Sequence, residues 1–207
     1  MSNKSPKIQS FETRQAFYLF ADIRGFTNWA GKYQLEVRDL ISYIYELAYT
    51  IFGSPKQEVL LNRVVKFLGD GFFAVKEYTP KTFGTALEDL MEKCILFNKT
   101  FNEYIESSQF HEPKKIKFSY GISFGKTERF NIKGMSFDYI GDRINFTARL
   151  CSYGNNEQII IDHDLIDNIE SFIKKSNLKN KLHFDQIELK GFSDNKDIII
   201  FELGNAK

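Results

Sequence analysis

The pattern of apolar and polar positions along the chain predicts two kinds of element. Short runs rich in β-branched and aromatic residues predict strands, and longer segments with apolar residues every three to four positions predict helices. The predicted strands cover residues 16–23, a hairpin at 63–77, a strand at 115–125 with 127–132 as a candidate hairpin partner, 158–162, and a final hairpin at 182–190 and 196–203. The predicted helices cover residues 35–53, 82–106, 141–150 and 164–175.

The order of these elements predicts the fold. A strand, a helix, two strands, a helix and a strand make the split βαβ pattern of ferredoxin-like folds. We therefore expect an α+β fold in which a ferredoxin-like (βαββαβ) sheet has helices on one face and a C-terminal α/β extension. Residues 1–15 are polar and are expected to form a flexible N-terminal lead-in, and residues 16–203 are expected to form one domain.

Two carboxylates stand at corresponding ends of the predicted strands. Asp22 ends the first strand, and Asp70 lies in the Gly-Asp-Gly turn of the central hairpin. Each one alone has an ordinary explanation, since Asp22 could cap the next helix and Asp70 could be a solvated turn residue. In the ferredoxin-like order, however, the two positions lie side by side. Convergent carboxylates suit hard divalent cations, and two such cations are a known device for displacement at phosphorus.

The turn that follows Asp22 is suited to anionic oxygens. It consists of Arg24, Gly25, Phe26 and Thr27, and it places free backbone N–H groups before a helix. We therefore expect Gly25, Phe26 and Thr27 to contact a phosphate-bearing substrate.

Composition narrows the function further. The chain has 207 residues, 43% of them hydrophobic, and a formal net charge of +1, so it carries no general electrostatic footprint for nucleic acid or a membrane surface. No apolar run is long enough to span a bilayer. Cys94 and Cys151 are isolated and lack zinc-site spacing, and the histidines are scattered. These features predict a reduced, cytoplasmic protein without a nucleic-acid or membrane partner.

Three stretches, in the same order and spacing, resemble the catalytic domain of class III nucleotidyl cyclases. They are FADIRGFT at residues 20–27, KFLGDG at 66–71 and FDYIGDRINFTARL at 137–150. The resemblance covers residues 16–203 and implies that the chain converts a nucleoside triphosphate to its 3′,5′-cyclic monophosphate and pyrophosphate. It also implies two Mg²⁺ (or Mn²⁺) ions per active site.

The resemblance assigns roles to individual residues. Asp22 and Asp70 match the metal-binding aspartates, and the backbone carbonyl of Ile23 matches a further metal ligand. The residues that match substrate and transition-state groups are Lys66 and Asp138 for the base, Asn145 for the ribose, Arg149 for the α-phosphate and Lys190 for the terminal phosphates. In this family one subunit supplies the aspartates of a site and its partner supplies the other groups. Because this chain carries both sets, a head-to-tail homodimer with two equivalent sites is expected.

Two segments depart from the family pattern. Ser119 stands where the family often has an arginine, so one phosphate contact is missing or supplied elsewhere. The segment 126–136 lacks the usual glycine-rich pattern, so the loop before Asp138 can pack differently.

The residues matched to the base are compatible with more than one base. Lys66 can donate to N1 of adenine and Asp138 can accept from its N6, and in the family a Lys/Asp pair accompanies ATP, whereas guanylate cyclases usually carry Glu and Cys. The same pair could also read O4 and N3–H of uracil, so a pyrimidine cyclase of bacterial anti-phage signalling is an alternative. A diguanylate-cyclase-like enzyme is less consistent with the Leu68-Gly69-Asp70-Gly71-Phe72 turn. A non-catalytic nucleotide-binding regulatory domain is a further alternative, although it would be expected to have lost some of the matched residues.

Overall fold

The computed structural model describes residues 8–53, 63–132, 137–176, 178, 181–188 and 194–204. Its strands are β1 (Ile8–Arg24), β2 (Arg63–Phe67), β3 (Phe72–Glu77), β4 (Lys117–Ile132), β5 (Phe137–Ile140), β6 (Gln158–Asp162), β7 (Leu182–Ile187) and β8 (Lys196–Glu202). Its α-helices are α1 (Phe26–Lys32), α2 (Gln34–Phe52), α3 (Phe83–Ser107), α4 (Asp142–Tyr153) and α5 (Ile166–Ser176).

The strands form one sheet with β1 near its centre. The order is β2-β3-β1-β4-β6-β8-β7, and β5 pairs with β4 outside this path. β1 is antiparallel to both β3 and β4, and β4 is parallel to β6. This is the ferredoxin-like βαββαβ arrangement followed by the predicted α/β extension, so the predicted fold class is confirmed.

The main core lies on one face of the sheet. Because successive side chains of a strand point to opposite faces, Phe17, Leu19 and Ala21 of β1 enter this core together with buried positions of α2, α3 and α5. Helix α3 contributes through the spacing that predicts it, with Leu87, Leu90, Met91 and Cys94 all buried.

Helix α4 packs against the opposite face, where Ala16, Tyr18 and Phe20 point. Its contact with β4 is close at Gly121, where an added Cβ would lie 2.4 Å from the backbone of both Thr147 and Cys151. Only glycine permits this approach. The consequence is that α4 is held near the centre of the sheet, beside the end of β1.

Three elements differ from the sequence-based prediction. β1 begins at Ile8 instead of residue 16, because the whole segment from Ile8 pairs with β4. Residues 127–132 do not turn back as a hairpin partner; they continue β4, since the long β1 offers partners as far as Ile132. The hairpin partner is instead the four-residue β5, which is too short and too polar at Asp138 for the pattern to reveal.

No helix in the described parts of the chain is long and apolar enough to cross a bilayer. Cys94 and Cys151 are buried free thiols.

Candidate active site

The end of β1 and the turn of the β2–β3 hairpin lie against each other, as the order of elements predicts. Ala21 pairs with Phe72, and an added Cβ on Gly71 would lie 2.3 Å from the carbonyl oxygen of Ala21 and 3.1 Å from Oδ1 of Asp22. The absence of a side chain at Gly71 therefore lets the turn approach the strand. Gly69, on the other side of Asp70, has a φ of 85°, which favours glycine. Two glycines thus set Asp70 beside Asp22.

The two carboxylates are close enough to repel. Burial raises the pKa of Asp22, and the charge and hydrogen bond of Arg24 act against that rise. Burial also raises the pKa of Asp70, and the negative charge of Asp22 raises it further. The pair therefore carries more negative charge than the nearby guanidinium neutralises, which is what a cation site requires.

The oxygen atoms near the end of β1 suit a divalent cation that takes its remaining ligands from water and substrate. Asp22, Asp70 and the backbone of Ile23 offer oxygen atoms alone, which are the ligands that Mg²⁺ prefers. Within the described residues, no group of three or more His, Cys, Asp or Glu side chains could hold a metal by itself. Mg²⁺ commonly binds through one or two carboxylates, completing its shell with water and substrate phosphates, so the set suits that mode.

The turn after Asp22 is exposed. Gly25 has a φ of 71° and precedes α1, its carbonyl accepts from the N–H of Trp29 at 3.2 Å, and Thr27 is also exposed. Phe26 is half-buried against the main core. This segment directly follows Asp22 along the chain, and its contact with a phosphate-bearing substrate stays a prediction.

Lys66 and Asp138 form an ion pair although 72 residues separate them. The Nζ atom of Lys66, on β2, lies 3.0 Å from Oδ1 and 2.9 Å from Oδ2 of Asp138, on β5. The ammonium also lies 5.9 Å from the ring centroid of Phe73. The same Oδ1 accepts from the backbone N–H of Tyr139 at 2.8 Å. The structure therefore brings together the two residues predicted to read the base.

A buried polar network supports this pair, and sequence reasoning missed it. Tyr139 donates to Glu77 at 2.8 Å and accepts from Arg63 at 2.9 Å, while Arg129 donates to Glu77 at 3.1 Å and to Glu12 at 2.5 Å. Arg63 is 2% exposed, and Glu77 and Arg129 are each 6% exposed. Burial and Glu77 raise the pKa of Tyr139. The sequence feature that could have revealed this network is a charged residue in each of several otherwise apolar strands.

Asn145 and Arg149 lie one turn apart on α4, as predicted. Asn145 is exposed and Arg149 is half-buried, while the residue that follows each of them, Phe146 and Leu150, is buried. Among the described residues, neither the side chain of Asn145 nor that of Arg149 forms a hydrogen bond or an ion pair, so no polar contact joins these side chains to Asp22, Asp70 or the Lys66–Asp138 pair. Lys190 lies outside the described residues.

The structure also shows the positions of two further residues near Asp22, which are Ser119 and Arg24. Ser119 is buried directly opposite Asp22 in the β1–β4 register, and its Oγ donates to the carbonyl of Cys151 at 3.0 Å. It therefore ties β4 to α4 and brings no charge to the site. Arg24, which the sequence analysis treated only as part of a turn, bonds Oδ2 of Asp22 at 2.6 Å.

Comparison with known proteins agrees with this architecture. The chain resembles the crystal structure of the guanylyl cyclase Cya2 with a TM-score of 0.68 and 18% identity over 94% of this chain and 95% of that one. For the adenylyl cyclase CyaB from P. aeruginosa the TM-score is 0.64 at 19% identity, over 93% and 95% of the two chains.

A third similar structure is the catalytic core of a rhodopsin-guanylyl cyclase with converted specificity in complex with ATPαS. The TM-score is 0.62 at 16% identity, over 93% of this chain and 98% of that one. No curated protein matches the chain in sequence. The family model described as the adenylate and guanylate cyclase catalytic domain matches residues 8–204, and the chain therefore belongs to this family.

Proposed function

We propose that this protein is a nucleotidyl cyclase that converts a nucleoside triphosphate, with ATP favoured, to the 3′,5′-cyclic monophosphate and pyrophosphate. The observation that carries the proposal is the convergence of Asp22 with Asp70 at one end of β1, together with the Lys66–Asp138 ion pair on the same sheet. One end offers uncompensated carboxylates for cations, and the other offers a donor and an acceptor for a base.

The residues divide the reaction between them. Two Mg²⁺ (or Mn²⁺) ions held at Asp22, Asp70 and the Ile23 carbonyl would supply activation of the ribose 3′-hydroxyl and neutralisation of pyrophosphate. The turn from Gly25 to Thr27 binds the phosphate chain. Asn145 orients the ribose, and Arg149 stabilises charge on the transferring phosphoryl group, because its guanidinium is planar and stays protonated. Lys190 is assigned to the terminal phosphates.

The proposed enzyme is a head-to-tail homodimer. The supporting observation is that the side chains of Asn145 and Arg149, on one face of α4, form no hydrogen bond or ion pair within the described part of their own chain. An exposed asparagine and a half-buried arginine without partners are available to a second subunit. Each site would then take its carboxylates from one chain and Asn145 and Arg149 from the other.

The Lys66–Asp138 ion pair also limits which bases the proposed site can recognise. Lys66 can donate to N1 of adenine, and Asp138 can accept from N6, so each side chain would exchange its present partner for the base. Uracil offers an acceptor at O4 and a donor at N3–H, and the same two side chains match that edge. A pyrimidine cyclase is therefore the second candidate.

The product profile tests the proposal. Purified protein is incubated separately with ATP, GTP, CTP and UTP in Mg²⁺ or Mn²⁺, and the products are identified by mass spectrometry. Predominant cAMP is expected. Predominant cUMP or cCMP would replace the adenylate assignment by the second candidate, and predominant cGMP would also overturn it. Triphosphate binding without any cyclic product would favour a non-catalytic domain.

The dimer is tested by complementation. Asp70→Ala and Arg149→Ala chains are each expected to be inactive, and an equimolar mixture is expected to regain partial activity through one intact hybrid site per dimer. Failure of the mixture to regain activity, with heterodimers shown by mass spectrometry, would contradict shared sites.

A further inference from the structure

Arg24 is bonded to one oxygen of Asp22, a carboxylate of the proposed cation site. As the last residue of β1 it lies two positions after Asp22, so the two side chains share a face of the sheet. Its Nη2 donates to Oδ2 of Asp22 at 2.6 Å, and its Nη1 donates to the carbonyl of Ser152, near the end of α4, at 3.1 Å. Its Nε is buried and has no hydrogen-bond partner among the described residues.

This arrangement conflicts with metal binding at the same carboxylate. A divalent cation needs the lone pairs of Asp22, and a guanidinium held at hydrogen-bond distance already uses one of the two oxygens. Two cations on one carboxylate also repel each other. Entry of a cation at Oδ2 therefore requires Arg24 to move.

A basic cavity adjoins Arg24 and can receive it. The cavity has a volume of about 540 Å³, and its charged lining residues are Arg24, Lys32, Lys114, Lys115 and Glu112. Glu112 pairs with Lys115 at 2.6 Å and with Lys32 at 3.8 Å, so one carboxylate faces four cations. Gly25 of the predicted phosphate turn also lines the cavity. An anion with several negative charges, such as a polyphosphate, suits these walls.

We propose that Arg24 is an internal counter-ion of the metal site, which neutralises Asp22 until the first divalent cation binds and then turns to contact the terminal phosphates of the substrate at the mouth of the basic cavity. This inference rests on the proposed function, because it takes Asp22 as a metal ligand. Arg24 would then weaken metal binding in the empty site and strengthen phosphate binding once the metal is bound. Metal and triphosphate binding would thereby be coupled.

The chain contains a matched control on the same strand. Arg14 and Glu12 repeat the spacing of Arg24 and Asp22, they form an ion pair, and Nε of Arg14 is likewise buried and without a partner among the described residues. This second pair lies ten residues before the metal end, far along β1. Arg14→Gln therefore removes a guanidinium–carboxylate pair of the same spacing without touching Asp22 or Asp70, and Glu12 keeps its ion pair with Arg129.

The first measurement is Mn²⁺ binding to the nucleotide-free protein by calorimetry. Arg24→Gln is expected to bind Mn²⁺ more tightly than the wild type, on the order of 10-fold, the lower end of the range over which neighbouring groups tune a metal site. Arg14→Gln is expected to match the wild type, and Arg24→Lys to lie between. A folding defect would weaken metal binding, so tighter binding cannot arise from misfolding.

The second measurement uses inorganic tripolyphosphate, which carries no base or ribose, in saturating Mn²⁺. Arg24→Gln is expected to bind it roughly 10-fold more weakly, as for loss of one charge-assisted hydrogen bond. Unchanged or weaker Mn²⁺ affinity in an Arg24→Gln protein whose circular dichroism spectrum and Tm match the wild type would overturn the counter-ion role. Unchanged tripolyphosphate affinity in the same variant would overturn the proposed contact with the terminal phosphates. If wild-type Mn²⁺ binding is insensitive to Asp22→Asn, the metal assignment itself fails and the counter-ion role falls with it.

Discussion

At the proposed metal end of the candidate site, the guanidinium of Arg24 is the one that acts on both Asp22 and Asp70 among the described residues. At the base end, Lys66 is paired with Asp138, and the buried Arg129 behind them is paired with both Glu77 and Glu12, while the buried Arg63 donates to the hydroxyl of Tyr139. The first region is left with excess negative charge, and in the second each of these charged side chains has a hydrogen-bond partner.

The two regions differ because binding a cation and recognising a base have different physical requirements. A cation site must keep negative charge uncompensated, so it is costly until its ligands arrive. A base-reading pair must instead hold a donor and an acceptor at fixed positions, because recognition by hydrogen bonds fails when the groups are displaced. The network around Tyr139 spans β1, β2, β3, β4 and β5, and it holds the short β5 to the sheet.

Substitution of Asp70 is the strongest test of the difference between the two regions. Asp70→Asn keeps the shape of the side chain and removes one charged metal ligand, so turnover is expected to fall by at least ~10³-fold, beyond the ~10²–10³ typical of losing one stabilising donor. The dimer is expected to persist. Steady-state kinetics and light scattering check these outcomes, with Asp39→Asn as the control because that side chain is 66% exposed on α2. Full activity in Asp70→Asn would refute the two-metal assignment.

Substitution of Lys66 at the base end should reduce activity less than substitution of Asp70. Lys66→Met removes the donor and leaves Asp138 without its ion-pair partner, so kcat/KM for the preferred triphosphate is expected to fall by roughly 10- to 100-fold. Selectivity among the four triphosphates should fall with it, while Mn²⁺ affinity should not change. Lys99→Met serves as control, because that lysine is 71% exposed on α3. Equal losses for all four triphosphates would contradict a role in reading the base.

The network behind the base end is expected to affect stability more than chemistry. Tyr139→Phe deprives the buried Arg63 of its acceptor, at a cost of about 1–3 kcal/mol in the free energy of unfolding. For a chain of this size that corresponds to roughly 2–4 °C in Tm for each kcal/mol. Tyr153→Phe is the matched control, since it removes the hydroxyl of an exposed tyrosine that is bonded to Asp185. Equal Tm values for the two variants would show that the buried network contributes no stability.

The smallest effect should be a gain in stability at the metal end. Burial and Asp22 raise the pKa of Asp70, so the folded, metal-free protein binds a proton there more tightly than the unfolded chain does. Ionisation at neutral pH therefore destabilises the fold, and Asp70→Asn is expected to raise Tm by about 1–3 °C in the absence of divalent cations. The difference should shrink as the pH falls through the folded-state pKa of Asp70. A lower Tm for Asp70→Asn at neutral pH would show that the charge is already compensated.

The sequence by itself determined the order of the elements and the residue types of the metal end. The apolar periods locate α2, α3 and the central hairpin, because a buried face needs apolar residues at fixed spacing. Asp22 and Asp70 could be placed together for the same reason, since strand order in a ferredoxin-like fold follows from element order. The glycines beside Asp70 are local requirements of the turn, and they are visible in the sequence.

The tertiary structure alone decided the pairing of β5, the network around Tyr139 and the hydrogen bond between Arg24 and Asp22. The short β5 forms because β4 offers it partners, so its four residues carry no independent signal. The residues joined around Tyr139 are spread from Glu12 to Tyr139, and a single sequence gives no means of pairing charges that distant. The hydrogen bond from Arg24 to Asp22 depends on side-chain direction and on the position of Ser152 at the end of α4. Long-range pairing and side-chain direction are properties of the packed chain, because they depend on which distant groups the fold brings within a few ångströms.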